Sequence, residues 1–434
     1  MVWFRRDLRL DDHGALAAAG DTPIIPVFVL DPRLLRSAGP VRLAHLSGSL
    51  QALDRRIKER GGGGLLIRTG DPRQVMPQLA SAHGCDQVLV SGDYSPYGVQ
   101  RDAAVAAALA QVGVAMRSAD SPFLHPPGSV TKPDGSAFAV FTPYWRVWQG
   151  RAVDGPVSSE PQFVAGEPDA DPLPADGEPA GEIVAQELLE TFLVRADGYD
   201  ADRNRPDIPA TSRLGAALHF GEIHPRTIVA AAGAATGFVR QLCWREFYAD
   251  VLYRRPDAAW GNIDRRFDAF PWRQDNEQFQ AWCQGRTGYP MVDAGMRQLQ
   301  ATGWLHNRSR MVVASFLTKD LLLPWQWGAR WFLSHLRDGD VANNSLGWQW
   351  VAGTGMDAAP YYRVFNPVLQ GQKFDPTGDY VRRFVPELAH LPGASVHTPW
   401  ESPDGYAHGY PQRMVDHAQA RQDALAAYTM IKNA

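Results

Sequence analysis

An α/β N-terminal domain with a parallel sheet, followed by a larger all-α C-terminal domain, is the fold class this sequence predicts, and three observations predict it. Short apolar runs alternate with stretches of helical length in the first part of the chain. From Asp154 to Glu182 the sequence DGPVSSEPQFVAGEPDADPLPADGEPAGE is rich in Pro, Gly and acids and has almost no apolar periodicity, which reads as a connector. Beyond it, long amphipathic patterns recur between Gly and Pro breaks.

The elements follow in chain order. Met1 to Phe4 is a short opening strand, as if the start were clipped. Further strands are expected at Pro23 to Leu30, Gly64 to Gly70, Asp86 to Tyr94 and, more weakly, Val112 to Ser118, with helices at Ser47 to Arg60 and Gln100 to Ala110. The tetraglycine Gly61 to Gly64 reads as a turn, since the pattern of a phosphate-binding loop does not surround it. Helices are expected from FVRQLCWREFYADVLYRRP and GWLHNRSRMVVASFLTKDLL. The expected division is residues 1–128 for the α/β domain, 129–197 for the connecting region and 198–434 for the helical domain.

Composition narrows the class. Hydrophobic residues make up 45% and charged residues 21%, no apolar run approaches the roughly 18 residues of a membrane helix, and the opening MVWFRRDLRL is too charged for a secretory signal. A cytoplasmic chain without membrane contact is expected. Cys85, Cys243 and Cys283 lie far apart without metal-type spacing, so neither metal nor disulfide is expected. The net charge of −4 divides into +2 from Gly198 onward and −6 before it, which leaves room for a basic surface on the helical part.

The aromatic residues point further. Eleven of the 14 tryptophans follow residue 198. For any one of them core packing is the ordinary reading, but an indole N–H wants a partner when buried, and a helical domain does not need so many to fill space. Gln241, Trp244 and Tyr248 stand at i, i+3 and i+7, aligning an amide, an indole and a phenol on one helical face. Asn307 and Met311 are i and i+4, with Arg310 beside them, a face that suits a flat heteroaromatic ring as well as an ordinary helix edge. In DGDVANNSLGWQWVAGTGMDAAPYYRVFNP, Asp338 and Asp340 can orient a basic partner or accept from ligand hydroxyls, Asn343 and Asn344 offer uncharged amides, and Trp348 and Trp350 face apart on a helix. Spacing alone names no ligand.

These blocks resemble the DNA photolyase and cryptochrome family over essentially the whole chain: WFRRDLRL (Trp3 to Leu10), TSRLGAALHFGEIHPR (Thr211 to Arg226), WREFY (Trp244 to Tyr248), TGYPMVDAGMRQL (Thr287 to Leu299), GWLHNRSRM (Gly303 to Met311) and the stretch from Asp338. The resemblance is most like a class I cyclobutane pyrimidine dimer photolyase. It implies a Rossmann-like antenna domain and a helical FAD-binding domain. By it, Tyr199, Arg203, Thr211, Ser212, Arg213, Leu214, Gly215, Phe238, Arg245, Asn307, Arg310, Asp338, Asp340 and Asn344 match FAD-contacting positions, and Asn344 matches the amide facing flavin N5. Trp244 and Trp350 match the indoles that receive a flipped-out pyrimidine dimer, with Gln241, Asn307 and Met311 as neighbours. Trp348, Trp325 and Trp272 match the chain of tryptophans that photoreduces oxidised FAD. The implied activity is light-dependent splitting of cyclobutane dimers, a carbon–carbon lyase reaction on damaged DNA, by a monomer with no obligate protein partner.

Two departures qualify the resemblance. Gln241 stands where many cyclobutane photolyases have Glu, and Gln there is shared with (6-4) photolyases and animal cryptochromes; against this, the pair His306–Asn307 is of the cyclobutane type, whereas (6-4) enzymes have two adjacent histidines. The Asn-Glu pair of methenyltetrahydrofolate-binding members is absent, its places falling at Tyr97 and Gly98, so an 8-hydroxy-5-deazaflavin antenna is favoured, with a flavin or an empty pocket as the alternatives, and Arg5, Arg6 and Asp93 are expected near any such chromophore. The alternatives are (6-4) repair and a cryptochrome-like blue-light photoreceptor. A generic flavin oxidoreductase is disfavoured, because no nicotinamide-binding glycine fingerprint follows any expected strand.

Overall fold

The computed structural model describes residues 1–233, 237–356 and 362–432. The chain forms two compact units, Met1–Ala196 with Ser212–Pro256 and Arg337–Ala342, and Asp197–Thr211 with Asp257–Leu336 and Asn343–Ala434.

In the first unit five parallel strands, β1 (Val2–Phe4), β2 (Pro26–Leu30), β3 (Leu66–Thr69), β4 (Gln87–Ser91) and β5 (Ala115–Asp120), lie in the order β3-β2-β1-β4-β5. The register is fixed by Val2↔Pro26 and Phe4↔Phe28 on one side of β1 and Val2↔Leu89 on the other. Side chains alternate across a strand. Val2 and Phe4 therefore join Phe28, Leu50, Leu53 and Ile57 on one face, while Trp3 joins Val27, Val88, Val105 and Leu109 on the other. Burial on both faces explains why β1, β2 and β4 read as continuous apolar runs, while the more exposed β5 gives only a weak pattern.

Helices Pro40–Glu59, Pro72–Ala82 and Pro96–Gln111 each begin with a proline in the first turn, where a missing N–H costs nothing. The second of these is not evident from pattern because Pro77 stands inside it. The Pro/Gly/acid-rich segment is laid along the unit as extended chain. Ile24 bridges Phe163, Gly63 N donates to Val164 O, and Asp171 N donates to Ile67 O. Glycine is required on this path: a Cβ on Gly63 would lie 1.8 Å from Gly166 O, and one on Gly48 would lie 1.9 Å from Glu178 O.

The second unit has no strand among its described residues. Its core gathers Trp282, Trp325, Phe316, Tyr289, Leu317, Trp348 and Tyr380 from helices that include Asn276–Cys283, Pro290–Thr302, Asn307–Ser315, Trp325–His335 and Val341–Ala352. A smaller cluster sets Phe267, Phe270 and Tyr362 against Ala424 and Ala427 of the helix His417–Lys432.

Candidate active site

In the first unit the order of strands reverses at β1 and β4, and a parallel sheet opens a crevice at the carboxyl ends of strands that diverge in this way. Arg5 and Arg6 follow β1, and Asp93 follows β4. Arg5 is paired with Asp102 at 2.5 Å and lies 4.8 Å over the Trp3 ring, while Asp93 binds Arg101 at 3.0 Å and accepts from Ser95 N and Oγ. Burial raises the Asp93 carboxyl, but Arg101, Arg6 and Arg5 outweigh it and hold the group below its ordinary range. Arg6 bonds elsewhere, through Nη2 to Asp340 at 2.8 Å and Nε to His219 O at 3.1 Å. A Cβ on Gly98, in the first turn of the helix Pro96–Gln111, would lie 2.1 Å from the Asp93 carboxyl carbon, so a side chain here would have to displace that carboxylate.

Helix Gly237–Arg254 carries Phe238, Gln241, Trp244 and Arg245. Gln241 Nε2 donates to Gly237 O at 3.1 Å, one turn back. Trp244 is half-buried and stacks on Phe141, with centroids 3.7 Å apart and planes 9° apart. Arg245 donates to Pro122 O and Leu218 O and lies 4.4 Å over Phe123; burial first, then Arg6, pushes its pKa down to about 10. The next residue, Glu246, accepts from Leu124 N, His125 N and Trp148 Nε1, and Asp250 accepts from Gly128 N. Burial pushes the Glu246 carboxyl up to about 7 against these donors.

Ser212 to Gly215 form a tight turn in which Arg213 adopts φ 57° and Leu214 N donates to Ser212 Oγ at 3.4 Å. Few residues other than glycine take that conformation without strain. A Cβ on Gly215 would lie 2.6 Å from Asp338 Oδ2, so a side chain here would push that carboxylate aside. Arg42, unmarked in the sequence reading, donates to Gly339 O at 3.3 Å; burial pulls its pKa down while Asp338 and Asp340 oppose that.

In the second unit Arg203 lies 5.4 Å over the buried Tyr199 ring, and Thr211 closes the same segment. His306 caps the helix that begins at Asn307, its Nδ1 accepting from Arg308 N at 3.1 Å. Burial, followed by the charges of Arg308 and Arg310, pushes its pKa down to about 4, so the ring is neutral near pH 7. The structure brings Asn307 and Met311 together, Nδ2 to Sδ at 3.7 Å, and Arg310 Nε donates to Leu305 O at 2.8 Å. Asn344 Nδ2 donates to Ala329 O at 2.9 Å.

Trp348 is buried with its ring against Gly328, on the helix that begins at Trp325; a Cβ there would lie 2.1 Å from Trp348 Cη2. Trp325 Nε1 donates to Asn262 Oδ1 at 2.8 Å. Trp272 touches Phe270, centroids 4.4 Å apart, and no ring contact joins it to Trp325 among the described residues. Trp350 is half-buried beside a cavity of about 340 Å³, whose lining includes Lys319, Gly353, Tyr362 and Arg363. Among the described residues no helix is long and apolar enough to cross a membrane, and no group of three or more His, Cys, Asp or Glu could hold a metal ion.

A family described as the FAD binding domain of DNA photolyase matches residues 238–430, and a second, DNA photolyase, matches residues 1–162. The chain belongs to the DNA photolyase family. It is 40% identical over 473 residues to a deoxyribodipyrimidine photo-lyase of Agrobacterium fabrum, covering 100% of this chain and 98% of that one. Among solved structures it is similar to a bacterial class III photolyase from Agrobacterium tumefaciens, with a TM-score of 0.91, 40% identity and coverage of 100% and 97%. That name gives class III where the motifs suggest class I. It is also similar to an archaeal photolyase from Sulfolobus tokodaii described with two FAD molecules, with a TM-score of 0.88, 29% identity and 99% coverage of both chains. The residues fit the flavin of this family. In the first unit Gly215 lets the Asp338 carboxylate lie close against the segment of Arg213, and in the second Asn344 is a neutral amide on a helix. What sequence reasoning missed is the support: Phe141, Glu246 and Arg42.

Proposed function

We propose that this photolyase-family protein repairs cyclobutane pyrimidine dimers in DNA in a light-dependent reaction, with FAD held by the residues assigned above. The observation that carries the reading is the stack of Trp244 on Phe141, which presents an indole already backed on one face. No ring stacks on its other face among the described residues. A base flipped from the duplex at a cost of about a few kcal/mol recovers about 1–3 kcal/mol from one aromatic face. Damaged, poorly stacked bases are the cheapest to extrude, so selection for damage follows.

FAD, when bound, supplies the light-driven one-electron chemistry that no side chain has. The protein's own part is binding, orientation and exclusion of water. Asn344 offers the ring an amide that holds no fixed charge, Asp338 and Asp340 accept hydrogen bonds, and Arg245 and Arg310 supply positive charge. Gln241 of the first unit and Trp350, Asn307 and Met311 of the second would orient the lesion, and Trp348, Trp325 and Trp272 would offer indole rings to pass an electron from an external reductant toward bound FAD. The cap-forming His306 supports cyclobutane over (6-4) repair, because its Nδ1 is already an acceptor and the ring, with one proton on Nε2, is not the imidazolium that an acid catalyst would need near pH 7. A second chromophore at the β1–β4 crevice is part of the proposal, and the crowding of Gly98 by Asp93 favours a deazaflavin or a flavin over methenyltetrahydrofolate.

The test is binding followed by light. The reduced protein should bind an oligonucleotide with one cyclobutane thymine dimer more tightly than the intact strand, lose affinity with added salt, and restore thymine absorbance only when illuminated. Equal binding to both strands, or no recovery in light with FAD reduced, contradicts the proposal.

A further inference from the structure

Lys319 is a buried cation that the repair reading leaves unused. The helix from Asn307 continues into a π-helical turn, Phe316–Asp320, whose wider winding carries both Lys319 and Asp320 inward, each 1% exposed. Asp320 is engaged by His417. Lys319 has no ion pair among the described residues. Instead its Nζ donates to Ala352 O at 2.6 Å and lies 3.0 Å from the centre of the Tyr362 ring.

Those two contacts converge on one place. Ala352 is the last residue of the helix Val341–Ala352, which carries Trp348 and Trp350, so the ammonium stands at the negative end of that helix. The chain leaves the helix through Gly353 at φ 85°, where a Cβ would lie 3.4 Å from Lys319 Nζ and 3.3 Å from the Tyr362 ring. Lys319, Trp350, Gly353 and Tyr362 line the same cavity. Taking an ammonium out of water without a carboxylate is costly, and one carbonyl and one ring face return only part of that cost. Packing alone would be served better by an apolar chain of the same length.

We infer that Lys319 is a positioning residue: its buried charge pins the end of helix Val341–Ala352 and the Tyr362 ring, and so fixes the indole of Trp350. The inference rests on the lesion-facing role proposed for Trp350. It goes beyond that role by naming what holds the indole in place.

Lys319→Met keeps the aliphatic stem and removes the charge. In the full chain with its flavin, four quantities are measured: FAD content, thermal midpoint, affinity for an oligonucleotide with one cyclobutane dimer, and affinity for the same oligonucleotide intact. FAD content and intact-strand affinity should stay as in the wild type, and the midpoint should hold or rise. Affinity for the dimer should fall about fivefold to tenfold, part of one aromatic stacking contact. Gly353→Ala presses a methyl group against Nζ and Tyr362 and strains the backbone at φ 85°, so it should lower the midpoint together with dimer affinity, and Lys319→Met, which leaves that backbone untouched, carries the test. A Lys319→Met protein that prefers damaged DNA as strongly as the wild type overturns the inference. So does a loss of affinity that only follows a fall in midpoint, the mark of a packing role. A wild-type protein with no preference for damage overturns the proposed function itself, and this inference with it.

Discussion

Trp244 and Trp350 carry the same proposed task and are held in opposite ways. Trp244 lies flat on Phe141, on a helix anchored by Glu246 and Asp250, whose carboxylates accept from the backbone N–H groups of Leu124, His125 and Gly128. Trp350 has no ring against it among the described residues, borders a cavity, and stands on a helix whose last carbonyl is held by an ammonium. The first platform is built from carboxyl groups on N–H donors and a stacked ring, the second from a cation on a carbonyl and open volume. The comparison teaches that the two indoles are fixed by opposite means, the first by a ring stacked on its face and the second through the anchored end of its helix.

The largest way to break this contrast is Glu246. Glu246→Ala leaves three donors, two of them buried, without an acceptor and should destabilise the protein by about 3 kcal/mol in denaturant unfolding. Its carboxyl has a folded-state pKa of about 7, above the ordinary 4.5, so the folded state binds the proton more tightly than the unfolded state. The corresponding stability is present below pH 4.5 and is lost as pH rises toward 7, amounting to about 3 kcal/mol. Glu246→Gln should flatten that part of the stability–pH curve.

Next comes Trp244→Ala. Dimer affinity should fall about tenfold or more, in line with about 1–3 kcal/mol of stacking, while FAD content stays nearly unchanged; loss of FAD with normal dimer binding would remove Trp244 from the lesion site. Phe141→Leu sharpens the comparison by removing only the backing ring. A stacked pair contributes about 0.5–1.5 kcal/mol, so dimer affinity should fall about threefold to tenfold with intact-strand affinity unchanged, and an unaltered dimer affinity would show that Trp244 needs no brace. The smallest effect on repair belongs to Trp272→Phe. Photoreduction of oxidised FAD should slow, while enzyme already reduced repairs at the wild-type rate.

The platforms also differ in how much of them could be read from sequence. Trp244 and Trp350 stand in recognisable blocks, and β1, β2 and β4 declare themselves because both of their faces are buried. Phe141 meets Trp244 from a stretch read as connector, where no local pattern marks a distant partner. Glu246 lies inside WREFY, yet its acceptors' role depends on the backbone of residues 124 and 125, far away in the chain. Lys319 stands in an amphipathic pattern that assumes regular helical winding, and the π-helical turn is what carries it inside. Pro77 hid a helix in the same way, by breaking a local rule that the surrounding packing overrides.

The central claim is cyclobutane repair by a protein with Gln241 and a neutral His306. The direct measurement is to give the anaerobically reduced protein two otherwise identical oligonucleotides, one with a cyclobutane thymine dimer and one with a (6-4) lesion, and to follow each under blue or near-ultraviolet light and in darkness. The account predicts loss of the cyclobutane dimer in light alone, with the (6-4) lesion untouched. Repair of the (6-4) lesion, or of neither, would contradict it.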